Sequence, residues 1–392
     1  MPPPGSNAGS GPKGSETTPT FDLADHVEGF IGVGSISSLG ELAGSFAAAV
    51  VTDDHIARAG TLDSAMAHLP AAVPIVIEPG EPTSVSVTAL ADRVAGFETL
   101  VAIGGGSVLD TAKLAAALVG SSSSIERHLV AAEPFTGRLE VVAVPTTAGS
   151  GAEVTRTCVV TAEGHKTWAW DDLLRPSSLI LDASLTVGLP IGVTVSTGLD
   201  ALVHAVEALT AQRRDAVATA AATWAIATLG AALPVVTHQP RDIEARAAAL
   251  AASTAAGIAI DRCGTGIAHG LGHALGSLVP IPHGLAVAVS LWAAAGFNAR
   301  SPDDRCGSVA SALGHDTYDI AIANLVEEAG LVDLLRPIAQ RHPLDRAALA
   351  SETLSDFNAP MCANNVRPVT TDEVVELAGS LADHWNRMGG RR

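Results

Sequence analysis

The chain has 392 residues, more than a single hydrophobic core usually holds, so we expect two domains. Its 23 Lys and Arg residues against 41 Asp and Glu residues give a formal net charge of -18, which opposes binding to the phosphate backbone of nucleic acids. We therefore expect no nucleic-acid partner. The 4 cysteines form no C-x-x-C pair, which fits a cytoplasmic protein. No apolar run reaches the about 18 residues that a membrane span needs, so we expect no membrane partner.

The chain begins with a segment rich in Pro, Gly, Ser and Thr, and residues 1–20 are predicted to form a flexible tail. From residue 21 to residue 190, short apolar runs alternate with segments of helical spacing, which is typical of a parallel sheet covered by helices. The predicted strands are Ala48 to Thr52, Val73 to Ile77, Leu100 to Ile103, Val141 to Val144 and Leu179 to Leu181.

From residue 191 to residue 392 the strand-like runs stop, and alanine-rich segments predict an all-helical domain. Its helices are predicted to break at Pro234, Pro240, Pro280, Pro282, Pro302, Pro343, Pro360 and Pro368. The boundary near Leu189 and Pro190 places the residues that follow it beside a cleft between the two predicted domains. The many alanine side chains favour closely packed helices and a homodimer interface.

A glycine-rich turn follows the third predicted strand. Gly104, Gly105, Gly106 and Ser107 connect that strand directly to a helical segment that contains Asp110. Glycines let backbone N–H groups approach an anion, and a helix N-terminus adds partial positive charge at the same place. The turn therefore predicts a phosphate site, and the alternative is a tight turn without a ligand.

The next predicted strand ends in a second polar turn. Residues 145–155 include Thr146, Thr147, Ser150 and Thr155, whose hydroxyl groups can hydrogen-bond to ribose and phosphate. Polar turns at two successive strand ends are typical of a sheet that binds a dinucleotide across its edge.

Histidines at helical spacing indicate a divalent-metal site. Asp200 and His204 are one helical turn apart and share a helix face, while His269 and His283 follow on later segments. A carboxylate with three imidazoles suits Fe²⁺ or Zn²⁺ and leaves room for a substrate oxygen. A single histidine on an alanine-rich helix is usually structural, but four together favour a metal.

Taken together, these segments resemble the iron-containing (group III) alcohol dehydrogenase family. The resemblance rests on a GGGS-x-x-D-x-x-K turn, a PTT-x-G-S-x-x-E-x-T turn and a D-A-x-x-H-A-x-E segment, which begin at Gly104, Pro145 and Asp200. It implies an α/β N-terminal dinucleotide-binding domain with a parallel sheet and an all-α C-terminal domain, the dehydroquinate synthase-like architecture. The implied activity is hydride transfer between a nicotinamide cofactor and a small alcohol or aldehyde.

The resemblance also implies roles for individual residues. Asp200, His204, His269 and His283 match the metal ligands, and His273 matches a residue near the nicotinamide that can relay a proton. A carboxylate at Asp53 would accept a hydrogen bond from the ribose 2′-hydroxyl and repel a 2′-phosphate, so NAD is favoured over NADP. The candidate cofactor contacts are Asp53, Gly104, Gly105, Gly106, Ser107, Asp110, Thr146, Thr147, Ser150, Thr155 and Lys166.

Departures from the family pattern leave the substrate open. Arg262 stands where a neutral residue is usual, and it either binds an anionic substrate or pairs with Asp261 or another acid. Residues 185–190 and 365–370 look closer to maleylacetate reductases, so reduction of an anionic oxoacid is one alternative. A non-redox lyase of the dehydroquinate synthase type, which also uses NAD and a metal, is a second.

Overall fold

The computed structural model of the chain describes residues 27–44, 47–121 and 123–390, so the predicted tail at residues 1–20 lies outside the described residues. In the described part, the strands are β1 (Glu28–Ile31), β2 (Ala48–Asp53), β3 (Val73–Ile77), β4 (Thr99–Gly104), β5 (Glu140–Pro145), β6 (Thr157–Ala162), β7 (His165–Trp170) and β8 (Ser178–Leu181). A 6-stranded parallel sheet has the order β1-β8-β5-β4-β2-β3, and β6 pairs with β7 as an antiparallel hairpin. The predicted strands are confirmed, whereas β1 and the hairpin were not predicted.

Helices cover the sheet and form all of the regular structure described after β8. They are α1 (Leu39–Ala43), α2 (Asp54–Arg58), α3 (Thr61–Met66), α4 (Ser84–Val94), α5 (Gly106–Val119), α6 (Ile191–Thr210), α7 (Ala216–His238), α8 (Ile243–Cys263), α9 (Ile267–Leu278), α10 (His283–Asn298), α11 (Arg305–Ala312), α12 (Tyr318–Glu328), α13 (Leu331–Arg341), α14 (Arg346–Thr353), α15 (Ala359–Asn364) and α16 (Thr371–Met388). The predicted fold class, an α/β part with a parallel sheet followed by a helical part, is confirmed. The domain boundary at residue 190 stays a prediction.

The sheet is apolar on both faces because helices pack on both. Every residue of β4 is buried, and its alternate side chains contribute to two separate core clusters, one with α4 and α5 and the other with α1 and α3. A parallel strand covered on both sides reads as a continuous apolar run, which is why Leu100–Ile103 was recognisable in the sequence. The pairings of Thr52 with Ile103 and of Gly104 with Pro145 align the carboxyl ends of β2, β4 and β5 along one edge.

The helical part is built around α6. Nearly every residue of α6 after its first turn is buried, and the helix packs against α7, α8 and α10. Within the described residues, two helices, α7 and α8, are long and apolar enough to cross a membrane by length and composition alone. The expectation that no apolar run is as long as a membrane span was therefore wrong. Both helices pack against each other and against α6, as alanine-rich core helices do.

The predicted helix break at Pro234 was wrong. Pro234 lies inside α7, which continues to His238. A proline inside a helix removes one backbone hydrogen bond and costs about 3 kcal/mol. The buried residues of α7 on either side of it, Leu233 and Val236, belong to the main helical core, and this packing holds the last turn in place.

Candidate active site

Helix α6 places three chemically active side chains on one buried face. Asp200, His204 and Glu207 follow each other at intervals of about one helical turn, and each is less than one tenth exposed. Charged side chains are rarely buried unless they have partners or bind a ligand. Their partners come from α9 and α10.

Helices α9 and α10 bring two predicted ligands to Asp200. One ligand atom each from Asp200, His269 and His283 can be chosen so that all three lie within 4.8 Å of one another. Nε2 of His204 lies 3.8 Å from Oδ1 of Asp200, and its ring stacks on that of His269 with 4.9 Å between centroids. Nε2 of His283 lies 3.6 Å from the same Asp200 oxygen. The predicted metal ligands are therefore brought together, with three of them forming the closest group.

Several polar atoms at this point lack hydrogen-bond partners. Oδ1 of Asp200, Nδ1 of His204 and Nε2 of His269 are all buried and unpartnered within the described residues. Leaving such an atom without a partner costs about 1 to 3 kcal/mol. A cation bound to Oδ1 of Asp200 and Nε2 of His269 would remove that cost for both atoms, so the residues present fit a divalent metal.

Burial and neighbouring charges shift the pKa values of the side chains in this cluster. Burial favours the neutral form of Asp200, but attraction to His204, His283 and His269 outweighs it and lowers the pKa of the carboxyl below its ordinary value. Burial, reinforced by the neighbouring His269, places the pKa of His273 well below its ordinary value. Burial also lowers the pKa of His283 well below that value, although Asp200 opposes it. At His269 burial lowers the pKa, but attraction to Glu207 outweighs it and raises the pKa above its ordinary value. Ionised carboxylate and neutral imidazoles are the forms that bind metal ions, so a cation would displace a proton from His269 when it binds.

Glycines allow the ligand-bearing helices to approach each other closely. A Cβ added at Gly284, directly after His283, would lie 1.9 Å from the backbone oxygen of Ser196 in α6. A Cβ added at Gly272 would lie 2.7 Å from a methyl carbon of Val287 in α10. Side chains at these positions would push α10 away from α6 and α9, so the glycines set the distances between the ligands.

The two polar turns meet at the edge of the sheet. Gly104 ends β4, Gly105 caps α5 and Gly106 begins it. A Cβ added at Gly106 would lie 2.6 Å from Oγ of Ser150, and one added at Gly105 would lie 3.5 Å from the Thr147 side chain. The glycine turn and the hydroxyl-rich turn therefore form one surface at the N-terminus of α5, where Ser107 occupies the first turn. Free N–H groups at a helix N-terminus favour phosphate.

Thr146 and Asp53 lie at strand ends beside this surface. Oγ1 of Thr146 is fully buried and has no hydrogen-bond partner among the described residues, so it can serve a ligand. Asp53 ends β2, and its Oδ1 accepts a hydrogen bond from the backbone N–H of Ile56. Asp53 is therefore also the N-cap of α2, a role that was not predicted from the sequence.

Two predicted cofactor contacts, Asp110 and Thr155, also take part in a network around the buried Lys113. The Lys113 ammonium lies 3.3 Å from Oδ1 of Asp110 and 3.4 Å from Oγ1 of Thr155. Oδ2 of Asp110 accepts from the backbone N–H of Val159 in β6. The structure thus shows Asp110 and Thr155 tying α5 to the hairpin behind the polar turns.

A cavity of about 420 Å³ lies beside the predicted metal ligands, with His273 and His283 in its lining. The loop between β3 and α4, the hairpin and the helical part line it with Glu81, Thr161, Gly164, Lys166, Gly272, His273, Gly276, Ser277, Ile281, His283, Ala286 and Glu352. Nζ of Lys166 lies 2.6 Å from Oε1 of Glu81, and the ring of His273 lies 5.4 Å from that of His283. Lys166 and His273 therefore face the same space, and their roles as a cofactor contact and a proton relay stay predictions.

Arg262 is not among the residues that line this cavity. Its Nη1 lies 3.3 Å from Oδ2 of Asp215, the N-cap residue of α7. Asp261, the first partner considered for it, instead pairs with Arg156 and Arg175. The geometry matches the ion-pair alternative for Arg262, with a different acid from the one first considered.

Sequence reasoning missed Glu207. Its Oε2 lies 2.5 Å from Nδ1 of His269, so it contacts a predicted ligand directly. The signal was present, because Glu207 follows Asp200 and His204 on the same helix face and closes the D-A-x-x-H-A-x-E segment. Its partner, however, could not be found without the packing of α9 on α6.

Comparison with known proteins identifies the family. Residues 28–183 match the model of the iron-containing alcohol dehydrogenases, and residues 194–381 match that of the C-terminal part of the Fe-containing alcohol dehydrogenase family. The chain belongs to the iron-containing alcohol dehydrogenase family. It is an oxidoreductase that acts on CH–OH groups.

Relatives within the family match most of the chain. The probable alcohol dehydrogenase EutG of Salmonella typhimurium is 35% identical over 308 residues, which cover 76% of this chain and 77% of EutG. The 1,3-propanediol dehydrogenase of Citrobacter freundii is 32% identical over 387 residues, covering 91% of this chain and 97% of that enzyme. The crystal structure of the sulfoacetaldehyde reductase of Bifidobacterium kashiwanohense in complex with NAD+ has a TM-score of 0.82 at 27% identity, covering 91% and 97% of the two chains.

Proposed function

We propose that this enzyme is an NAD-dependent, metal-dependent alcohol dehydrogenase or aldehyde reductase that acts on a small alcohol or aldehyde. The observation that carries the proposal is the convergence of Asp200, His269 and His283, whose ligand atoms lie within 4.8 Å of one another beside the cavity. Together with His204 they would hold Fe²⁺ or Zn²⁺. A cation in this position acts as a Lewis acid toward a substrate oxygen.

The surrounding residues support a hydride transfer in the cavity. His273 lines the cavity with His283, and an imidazole in this position can accept a proton from an alcohol or, once protonated, return one during reduction. The ring of Phe357 packs against that of His273, with 5.3 Å between the centroids. Small substrates are proposed because the named relatives include a 1,3-propanediol dehydrogenase.

NAD is proposed as the cofactor on two grounds. The aligned ends of β2, β4 and β5 form a polar edge with the unpartnered Thr146 hydroxyl, and Asp53 supplies a carboxylate at that edge. A structural relative was solved with NAD+. The carboxylate disfavours the 2′-phosphate of NADP through like-charge repulsion.

Anaerobic purification followed by metal analysis and an aldehyde screen tests this proposal. We expect about one divalent ion per chain, metal-dependent oxidation of NADH by small aldehydes, and loss of that activity on chelation that added Fe²⁺ or Zn²⁺ restores. Full activity of chelator-treated enzyme would reject the metal-dependent reaction and favour a maleylacetate reductase-like one. We also propose that the enzyme is a cytoplasmic homodimer, and light scattering would test the dimer.

A further inference from the structure

Glu207 contacts both a predicted metal ligand and the helix that carries it. The carboxylate is 4% exposed and belongs to the same α6 face as Asp200 and His204. Its Oε2 lies 2.5 Å from Nδ1 of His269. An ionised carboxylate can only accept hydrogen bonds, so the proton of the neutral imidazole lies on Nδ1. Nε2 of His269, which is buried and unpartnered within the described residues, then carries the free lone pair.

The second carboxylate oxygen holds the first turn of α9. Oε1 of Glu207 accepts from the backbone N–H groups of Ala268 at 2.7 Å and of His269 at 3.3 Å. The N-cap residue of α9, Gly266, has no side chain with which to cap the helix. A Cβ at Gly266 would lie 3.1 Å from that same oxygen, so the glycine makes room for the carboxylate. One side chain from α6 therefore replaces the missing cap.

Resting on the proposed function, we propose that Glu207 is a positioning residue for His269. It selects the form of His269 that is protonated on Nδ1, and it fixes the ring so that Nε2 faces the metal that Asp200 and His283 also bind. Carboxylates that orient metal-binding histidines in this way also increase the basicity of the ligand nitrogen. The two roles of Glu207 reinforce each other, because the oxygen that caps α9 prevents the carboxylate from rotating away from the ring.

The Glu207→Gln variant tests the tautomer role with almost no change in shape. A glutamine amide can donate to Nδ1, which would place the imidazole proton on Nε2, the nitrogen required for the metal. Glu207→Asp keeps the charge but is one methylene shorter and cannot reach both α9 and the ring. Glu153→Gln is the matched control, because Glu153 is 2% exposed and its Oε1 accepts from Thr254 instead of from a histidine.

The measurements are Zn²⁺ affinity of the metal-free proteins by competition with a chelator, and the rise in melting temperature that Zn²⁺ produces. NADH binding, followed by fluorescence, reports whether the α/β part is intact. We expect Glu207→Gln and Glu207→Asp to bind Zn²⁺ about 10- to 100-fold more weakly than the wild type and to gain less thermal stability from it. NADH binding by the two Glu207 variants should match the wild type, and so should the Zn²⁺ affinity of Glu153→Gln.

The outcomes separate this inference from the proposed function. If the wild type binds Zn²⁺ and Glu207→Gln binds it equally tightly, the positioning role is wrong while the metal site stands. If Glu207→Asp keeps the Zn²⁺ affinity of the wild type, the charge alone is sufficient and the positioning role is again wrong. Glu207→Asp also tests the positioning role if Glu207→Gln does not fold. If the wild type binds no divalent metal, the proposed function itself is rejected, and the inference with it.

Discussion

Asp200 and His283 lie on different helices, yet Oδ1 of Asp200 is 3.6 Å from Nε2 of His283. The contact depends on the close approach of α10 to α6, which Gly284 permits. The candidate site is therefore a product of helix packing, and substitutions that alter either the ligands or this packing have distinct, measurable effects.

Replacing His269 with Ala should remove metal binding and turnover together. The substitution deletes one of the three side chains whose ligand atoms converge within 4.8 Å, and metal affinity should fall by more than about 100-fold. NADH binding should persist, because the polar strand ends lie in the α/β part. Metal content, NADH fluorescence and aldehyde reduction check the three expectations. Full turnover by metal-stripped His269→Ala protein would contradict the proposed mechanism.

Asp53→Asn should relax the preference for NAD without loss of stability. Asp53 Oδ1 caps α2 through the Ile56 N–H, and asparagine is an equally good N-cap. The variant therefore removes the negative charge while keeping the cap, and the ratio of kcat/KM with NADH to that with NADPH should fall. Asp53→Gly is the comparison, since it removes both the charge and the side-chain cap. A wild-type enzyme that is more efficient with NADPH would show that the cofactor assignment is wrong.

Arg262→Met should affect charged and neutral substrates equally. The guanidinium pairs with Asp215, and the two side chains are 22% and 30% exposed, so loss of the pair should change the free energy of unfolding by about 1 kcal/mol or less. KM values for an aldehyde that carries a carboxylate or sulfonate and for a neutral aldehyde of similar size provide the measurement. A selective rise in KM for the anionic aldehyde would instead return Arg262 to the substrate site.

Gly284→Ala should disrupt the metal site, whereas Gly296→Ala on the same helix should not. A Cβ at Gly284 would lie 1.9 Å from the Ser196 oxygen, while one at Gly296 has nothing within 4 Å. We expect Gly284→Ala to lower the free energy of unfolding by about 1 to 3 kcal/mol or more and to weaken Zn²⁺ binding. Gly296→Ala should raise stability by about 0.5 to 1 kcal/mol. Equal melting temperatures and metal affinities for the two variants would contradict the packing argument.

Local patterns were sufficient for much of the fold. Buried parallel strands such as the one at residues 100–103 are continuous apolar runs, so their positions followed from the order of apolar residues along the chain. The glycine turn at Gly104 to Gly106 and the spacing of Asp200 and His204 were equally local signals, because turn geometry and helix periodicity depend on neighbouring residues. These signals predicted an α/β part with a dinucleotide edge, a helical part and a metal cluster between them.

Contacts between distant segments were decided only by the tertiary structure. Glu207 meets His269, and Arg262 meets Asp215, because the helices that carry these residues pack side by side. The continuation of α7 through Pro234 has the same origin, since core packing outweighs a local propensity. Sequence periodicity fixes which face of a helix a residue occupies, whereas the partner opposite that face depends on how the helices are arranged.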